Sequence, residues 1–175
     1  GYTAQVHIAD PTHFIEKGSA LDEAIKDRNV TFYLGDNTRH MTPKELAQDA
    51  FSLGPGKDNL ALTTEMEFDQ HGNRKATEIY ESIVSTEHLT HTHTDSILDA
   101  AEEIEEFYED TVVESQSAKE FSDMAQTVSD AKSLADKLRR NRWDESLIIN
   151  DKDSASSKIV EELMVEANTA AGEYI

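Results

Sequence analysis

Apolar positions alternate along the first half of the chain and recur every three to four residues along the second. Residues 4–9 alternate, with Val6 and Ile8 on one face, which predicts a strand that Asp10-Pro11 ends. Leu21, Ala24, Ile25 and Arg28 fall at helical spacing within residues 18–29. Residues 30–34 are β-branched and aromatic, a short strand running into Gly35-Asp36-Asn37. Thr42-Pro43 opens a short helix through Leu46, Ala47 and Ala50, since proline suits a first turn whose N–H has no helical partner. Gly54-Pro55-Gly56 breaks the chain again. The cleanest alternation is Leu60, Leu62, Thr64, Met66 and Phe68; turn residues occupy 69–73, and Thr77, Ile79, Glu81 and Ile83 return on one face. This predicts a β-hairpin with a longer loop.

The second half reads as helices. Ile97, Leu98, Ala101, Ile104 and Tyr108 mark one over residues 96–108. Ser117 with Glu120 forms a capping box ahead of Phe121, Met124, Val128, Leu134 and Leu138. Residues 146–149 form a short apolar run that predicts a strand. A last helix starts near Ser157 and buries Val160, Leu163, Met164, Ala167 and Ala171. The order predicts an α+β domain: a mixed sheet with a β-hairpin packed by helices over residues 1–94, and a mainly helical part over 95–175. No internal repeat is present.

Charge changes the picture more than composition does. The 175 residues carry 36 acidic and 16 basic side chains, a formal net charge of −20, with 37% apolar content and no cysteine. There is accordingly no disulfide framework, thiolate metal site or cysteine nucleophile. No run approaches a membrane span and no leader pattern opens the chain, so a cytoplasmic protein is expected, without a membrane partner. A charge of −20 repels nucleic acids and anionic membranes at low salt. A basic groove set apart from the acidic face, or a salty cytoplasm in which charges are screened over ~3 Å, would lift that objection. Acids spread along the whole chain fit a halophilic surface better than one acidic tail.

Candidate chemistry is sparse. His88, His91 and His93 cluster near Glu87 and Asp95; on a strand, His91 and His93 would share a face and could hold zinc. The plainer reading is solvated imidazoles at a strand end or loop. Asp10 stands at the carboxyl end of a strand, where α/β sites gather ligands, and equally suits an Asx turn before proline. Glu102, Glu103, Glu105 and Glu106 read as a solvated helix face. No nucleophile elbow, P-loop or dinucleotide fingerprint is present.

One ordered series of motifs carries further information. It runs from residues 6–12 (VHIADPT) through Gly18-Ser19-Ala20-Leu21-Asp22, Arg28, Tyr33-Leu34, Met41-Thr42-Pro43, Glu45-Leu46 and Ser52-Leu53 to a hairpin with Asp69 and Gly72. It closes on Ile159-Val160-Glu161-Glu162-Leu163-Met164 and Ala167-Asn168. The series resembles the RNB family of exoribonucleases, which includes ribonucleases II and R, over about residues 2–175. The resemblance implies processive 3′→5′ hydrolysis of single-stranded RNA to nucleoside 5′-monophosphates, assisted by Mg²⁺. There, one ion lowers the pKa of the attacking water and two offset charge on the phosphate. The family's metal-binding aspartate cluster belongs upstream of the strand at residues 6–10, and its phosphate-supporting arginine beyond Ile175. No catalytic or metal-binding residue is therefore expected within this chain, and no Mg²⁺-dependent activity from it alone.

By the same resemblance, Tyr33 matches an aromatic that stacks on a base and Glu161 a glutamate that contacts the terminal nucleotide. His91 stands where the family has a tyrosine near the 3′ end, and Ile149 near the phenylalanine that closes the stacking clamp. Asn59 replaces an arginine in the loop before the hairpin. RNA-binding positions are thus expected at Tyr33, His91 and Glu161, with single-stranded RNA as partner and DNA not expected. The alternative is a non-catalytic RNB-like module that binds RNA or a protein.

Overall fold

The computed structural model describes residues 1–34, 37–44, 46–47, 51–107, 116–142 and 154–174. The strands are β1 (Tyr2–Ala9), β2 (Phe32–Leu34), β3 (Asn37–Arg39), β4 (Asp58–Phe68) and β5 (Arg74–Ser85). The helices are α1 (Ala20–Arg28), α2 (His91–Phe107), α3 (Gln116–Arg142) and α4 (Ala155–Tyr174). The α+β class, the hairpin and the helical second half are all present. One sheet has the order β1-β4-β5, with the hairpin as its second and third strands. His7 meets Thr63 and Asp10 meets Leu60, so β1 runs antiparallel to β4. A parallel bridge joins Pro55 to Thr86. β2 and β3 form a separate antiparallel pair, Phe32 opposite Arg39; the sequence pattern did not predict β3, whose residues are polar. The predicted strand at residues 146–149 and the end of the predicted helix at Ala50 lie outside the described residues.

Two compact units share the chain. The first comprises Gly1–Val6, Thr64–Ile79 and Leu89–Ile175. Here Val6, Met66 and Phe68 pack with Leu134 and Leu138 of α3 and Ala167 and Ala170 of α4. A second cluster joins Ile97 and Leu98 of α2 to Ala125, Val128 and Ala135 of α3 and Ile159 of α4. Arg74 ties the hairpin to α4 through Glu166 at 2.8 Å and Glu173 at 2.5 Å. Lys137 hydrogen-bonds the Tyr2 hydroxyl and lies 4.4 Å over its ring; that bond, with one to Ser133, draws the phenol below its ordinary pKa.

The second unit comprises His7–Thr63 and Tyr80–His88. Helix α1 starts at Ser19, whose hydroxyl accepts from the Asp22 N–H, and ends at Asn29 in the left-handed region at φ 55. Asparagine tolerates that conformation better than most residues, which makes the stop local. Asn59 acts as a short clamp on the loop before the hairpin. Its amide donates to Gly54 O at 2.8 Å and Lys57 O at 2.9 Å, while its carbonyl accepts from Gly54 N at 3.1 Å.

Two predicted faces are corrected. Burial along β4 falls on Asn59, Ala61 and Thr63, then changes parity to Thr64, Met66 and Phe68. Leu62 is 41% and Ile8 44% exposed, so neither joins the buried face predicted for it. On α4 the buried residues are Ser156, Ile159, Glu162, Ala167 and Ala170, and Val160 is exposed. The predicted stripe lay slightly off because it excluded the charged Glu162.

Candidate functional site

Two polar assemblies in the first unit hold the sequence-predicted positions His91 and Glu161. The first sits at the start of α4. Ser154 caps the helix, its hydroxyl accepting from the Ser157 N–H at 3.3 Å. A second N–H of that turn without a helical partner, on Ser156, donates to the Asp95 carboxylate of α2 at 2.9 Å. A carboxylate at this end also meets the positive pole of the helix dipole. The Ser156 hydroxyl, in a residue 3% exposed, lies 3.0 Å from His91 Nδ1. The backbone N–H of Ser156 chiefly, with the hydroxyls of Ser156 and Ser154, holds the Asp95 carboxyl below its ordinary pKa.

The residue types of a nucleophilic triad are thus present, but their connectivity differs. Such a triad needs the carboxylate on the imidazole and the imidazole on the hydroxyl as base. Here Asp95 holds the serine's backbone N–H instead. The arrangement fixes the His91 ring and leaves its other face exposed, so its chemistry is presentation of an imidazole rather than activation of Ser156. His91 and His93 occupy the first turn of α2 and not the strand on which they would share a face. Two residues apart on a helix, they point in different directions.

The second assembly joins α3 to α4. Glu162 is 2% exposed, with Oε1 at 2.6 Å from Arg142 Nη2 and 3.5 Å from Arg139 Nη1. Its neighbour Glu161 is 48% exposed and stands farther off, at 3.8 Å from Arg142 and 4.0 Å from Arg139. The arginines therefore neutralise a buried carboxylate and bias an exposed one. Sequence reading named Glu161 and missed Glu162. The available signal was its place three residues after Ile159, on the same helix face, with arginines spaced by three near the end of the preceding helix.

His91 and Glu161 are brought to one element, since α4 supplies both Ser156 and Glu161. Tyr33 belongs to the other unit; its backbone pairs with Thr38, and its side chain lies outside the described residues, as does Ile149. So do the side chains of Glu102, Glu103, Glu105 and Glu106. Asp10 proves to be a turn residue: its Oδ1 accepts from Thr12 N at 2.9 Å and from the Thr12 hydroxyl at 2.5 Å, capping the 3₁₀ turn Pro11–His13. Among the described residues no three His, Asp or Glu side chains gather as a metal site.

The family model described as "RNB domain" matches residues 1–175. Ribonuclease R of Aquifex aeolicus is 32% identical over 144 residues, which cover 82% of this chain and 19% of that protein. Ribonuclease R of Thermotoga maritima is 30% identical over 193 residues, covering 98% and 25%. The chain thus spans about a fifth to a quarter of the length of these relatives. Among solved structures, Mycoplasma genitalium RNase R in complex with ribose-methylated single-stranded RNA superposes with a TM-score of 0.72 at 22% identity. That match covers 96% of this chain and 27% of the other, and it shows a shared fold.

Proposed function

The chain belongs to the RNB domain family, and from that membership we propose that it forms part of a 3′→5′ exoribonuclease hydrolysing single-stranded RNA to nucleoside 5′-monophosphates. The observation that carries the reading is the family match over residues 1–175. Identity of 32% and 30% with two proteins named ribonuclease R supports it. Those names also weigh against the alternative of a non-catalytic binding module. In this reading Tyr33 stacks on a base, Glu161 meets the terminal nucleotide, and His91 takes the place of a tyrosine near the 3′ end. The exposure of His91, which is held by the buried Ser156 of α4, and of Glu161, which lies within reach of Arg139 and Arg142 of α3, supports their assignment.

Reaction at the phosphodiester is metal-dependent in this proposal, with Mg²⁺ the ion and its aspartate ligands outside the chain. Among the described residues no three His, Asp or Glu side chains gather to hold such an ion. Among them no helix is long and apolar enough to cross a membrane. The proposal includes a cytoplasmic, salt-rich setting, with neither DNA nor membrane as partner.

The test is digestion of a 5′-labelled oligoribonucleotide with Mg²⁺ by the full exoribonuclease of which this chain is proposed to form part. Expected are products shortened stepwise from the 3′ end, release of 5′-mononucleotides, and loss of both on chelation. Internal cuts, or an uncut strand under conditions where the protein is folded, would refute the reading.

A further inference from the structure

Residues 91–95 (HTHTD) set an imidazole and a carboxylate four apart on α2, so His91 and Asp95 share one face of that helix. Ser156 of α4 and the cap residue Ser154 meet that face. The Ser156 hydroxyl lies 3.0 Å from His91 Nδ1 and 2.9 Å from the Ser154 hydroxyl. Both hydroxyls also hydrogen-bond the Asp95 carboxylate, whose Oδ1 already takes the Ser156 backbone N–H at 2.9 Å. Among the described residues the His91 ring is held at Nδ1 alone, and the residue is exposed.

The protons available to this group are few, and their placement decides what His91 offers. An ionised carboxylate only accepts, and Ser156 has a single hydroxyl proton. That proton goes either to Asp95 or to His91 Nδ1. A hydrogen bond to a charged acceptor is about twice as strong as one between neutral groups, which sends the proton to Asp95. Ser156 Oγ is then left with lone pairs toward the imidazole, and a 3.0 Å contact with Nδ1 is satisfied when Nδ1 carries the proton. The Nδ1–H and the Ser156 O–H then both point toward the carboxylate, and each bond polarises the next. The reverse order would turn the hydroxyl dipole away from the anion. A neutral imidazole has one N–H, so a proton on Nδ1 leaves Nε2 as a lone pair on the free side of the ring.

We propose that Ser156 and Asp95 are positioning residues that hold His91 as its Nδ1–H tautomer, so that Nε2 accepts a hydrogen bond from a hydroxyl at the 3′ end of the RNA. The proposal rests on RNA being the substrate, as argued above. Contact of His91 with the 3′ end belongs to that reading; the direction of the hydrogen bond, and the two residues that set it, go beyond it. The direction carries selectivity. A terminal hydroxyl can donate to Nε2, whereas a fully ionised terminal phosphate brings oxygens that only accept and face a lone pair.

Two measurements on the full exoribonuclease of which this chain is proposed to form part test this. The first needs no RNA. It reads the ring ¹⁵N and ¹³C shifts of His91 at about pH 9, above the ordinary histidine range, in histidine-labelled protein, with the signal assigned by its loss in His91→Gln. The Nδ1–H pattern is expected, moving toward the Nε2–H pattern that free histidine favours in Ser156→Ala and in Asp95→Asn. An Nε2–H pattern in the wild type, or no change in either variant, overturns the proposal; should a variant fail to fold, the wild-type spectrum still decides. The second is anisotropy, in EDTA, of labelled oligoadenylates ending in a hydroxyl or in a 3′-phosphate. The wild type is expected to favour the hydroxyl end, and Ser156→Ala, which alters no charge, to shrink that preference about three- to tenfold, the worth of one hydrogen bond. A preference that stays unchanged while the tautomer shifts overturns the positioning role and leaves the exonuclease reading intact. A wild-type enzyme that binds neither strand overturns the substrate reading and this proposal with it.

Discussion

Glu161 and Glu162 are neighbours in sequence with the same two arginines in reach, yet their energetics differ in kind. Glu162 is 2% exposed and 2.6 Å from Arg142. Removing the buried carboxylate takes away the closest partner of Arg142 and Arg139, which are 34% and 16% exposed, and leaves the more distant Glu161 beside them. Glu162→Ala is therefore expected to destabilise by about 1–3 kcal/mol in urea unfolding. Glu161, 48% exposed and at least 3.8 Å from either guanidinium, contributes at most about 1 kcal/mol on the scale of exposed pairs. Glu161→Ala should leave the unfolding midpoint nearly unchanged while weakening engagement of the RNA 3′ end. A loss of stability equal in the two variants would contradict the asymmetry. The pair also shows why a motif can point to one residue while its neighbour is missed. Motif matching points to the exposed, chemically available acid; burial of the other is decided by arginines on a separate helix.

At the scale of elements, three aspartates hold chain turns and helix starts in place. Asp95 accepts from the Ser156 N–H that opens α4. Asp69 closes the β4–β5 hairpin by accepting from the N–H groups of His71 and Asn73, both at 2.9 Å. Asp22 accepts from the Gly18 N–H at 2.7 Å in the first turn of α1. Each carboxyl is held below its ordinary pKa, by the backbone N–H of Ser156 for Asp95, the side chain and backbone of Asn73 for Asp69, and the backbone N–H of Gly18 for Asp22. A folded-state pKa below the unfolded value gives stability that is full above about pH 4 and is lost as pH falls through the lowered values. Acid titration followed by circular dichroism should show this limb, and Asp69→Asn and Asp95→Asn should each flatten it; an identical limb in both variants would remove the carboxylates as its cause. These capping residues were only partly legible beforehand. Ser19 and Asp10 act within a few residues of themselves, so local sequence contains the whole interaction, whereas Asp95 caps a helix 61 residues away. The β4 face shows the same limit. Alternation locates the strand, but Thr63 and Thr64 suit either side, and what lies over each end of the sheet decides which parity is buried.

For the whole molecule the question is how a chain at −20 stays folded, and how it would engage the polyanion proposed as its substrate. Its 36 acids and 16 bases repel one another on balance, which opposes compaction. Added salt shortens the screening length from about 10 Å at 0.1 M to about 3 Å at 1 M and relieves that repulsion. Among the described residues most ion pairs weakened in exchange have at least one exposed partner and contribute little, and the Arg142–Glu162 pair, whose carboxylate is buried, is screened least, so stability should rise with KCl. RNA affinity should move the opposite way, because each phosphate contact releases counterions and dissolved salt competes with that release. These opposed trends separate adaptation of the fold to salt from the chemistry of binding. Thermal melts of the intact protein from about 0.05 to about 1 M KCl should show a rising midpoint, while oligoadenylate affinity falls across the same series. Potassium chloride is the salt to use, since sulfate would strengthen apolar burial and raise the midpoint for another reason. A midpoint that stays flat or declines would mean that net repulsion is not what limits this fold, and the acidic surface would then lose its reading as a mark of a salt-rich setting.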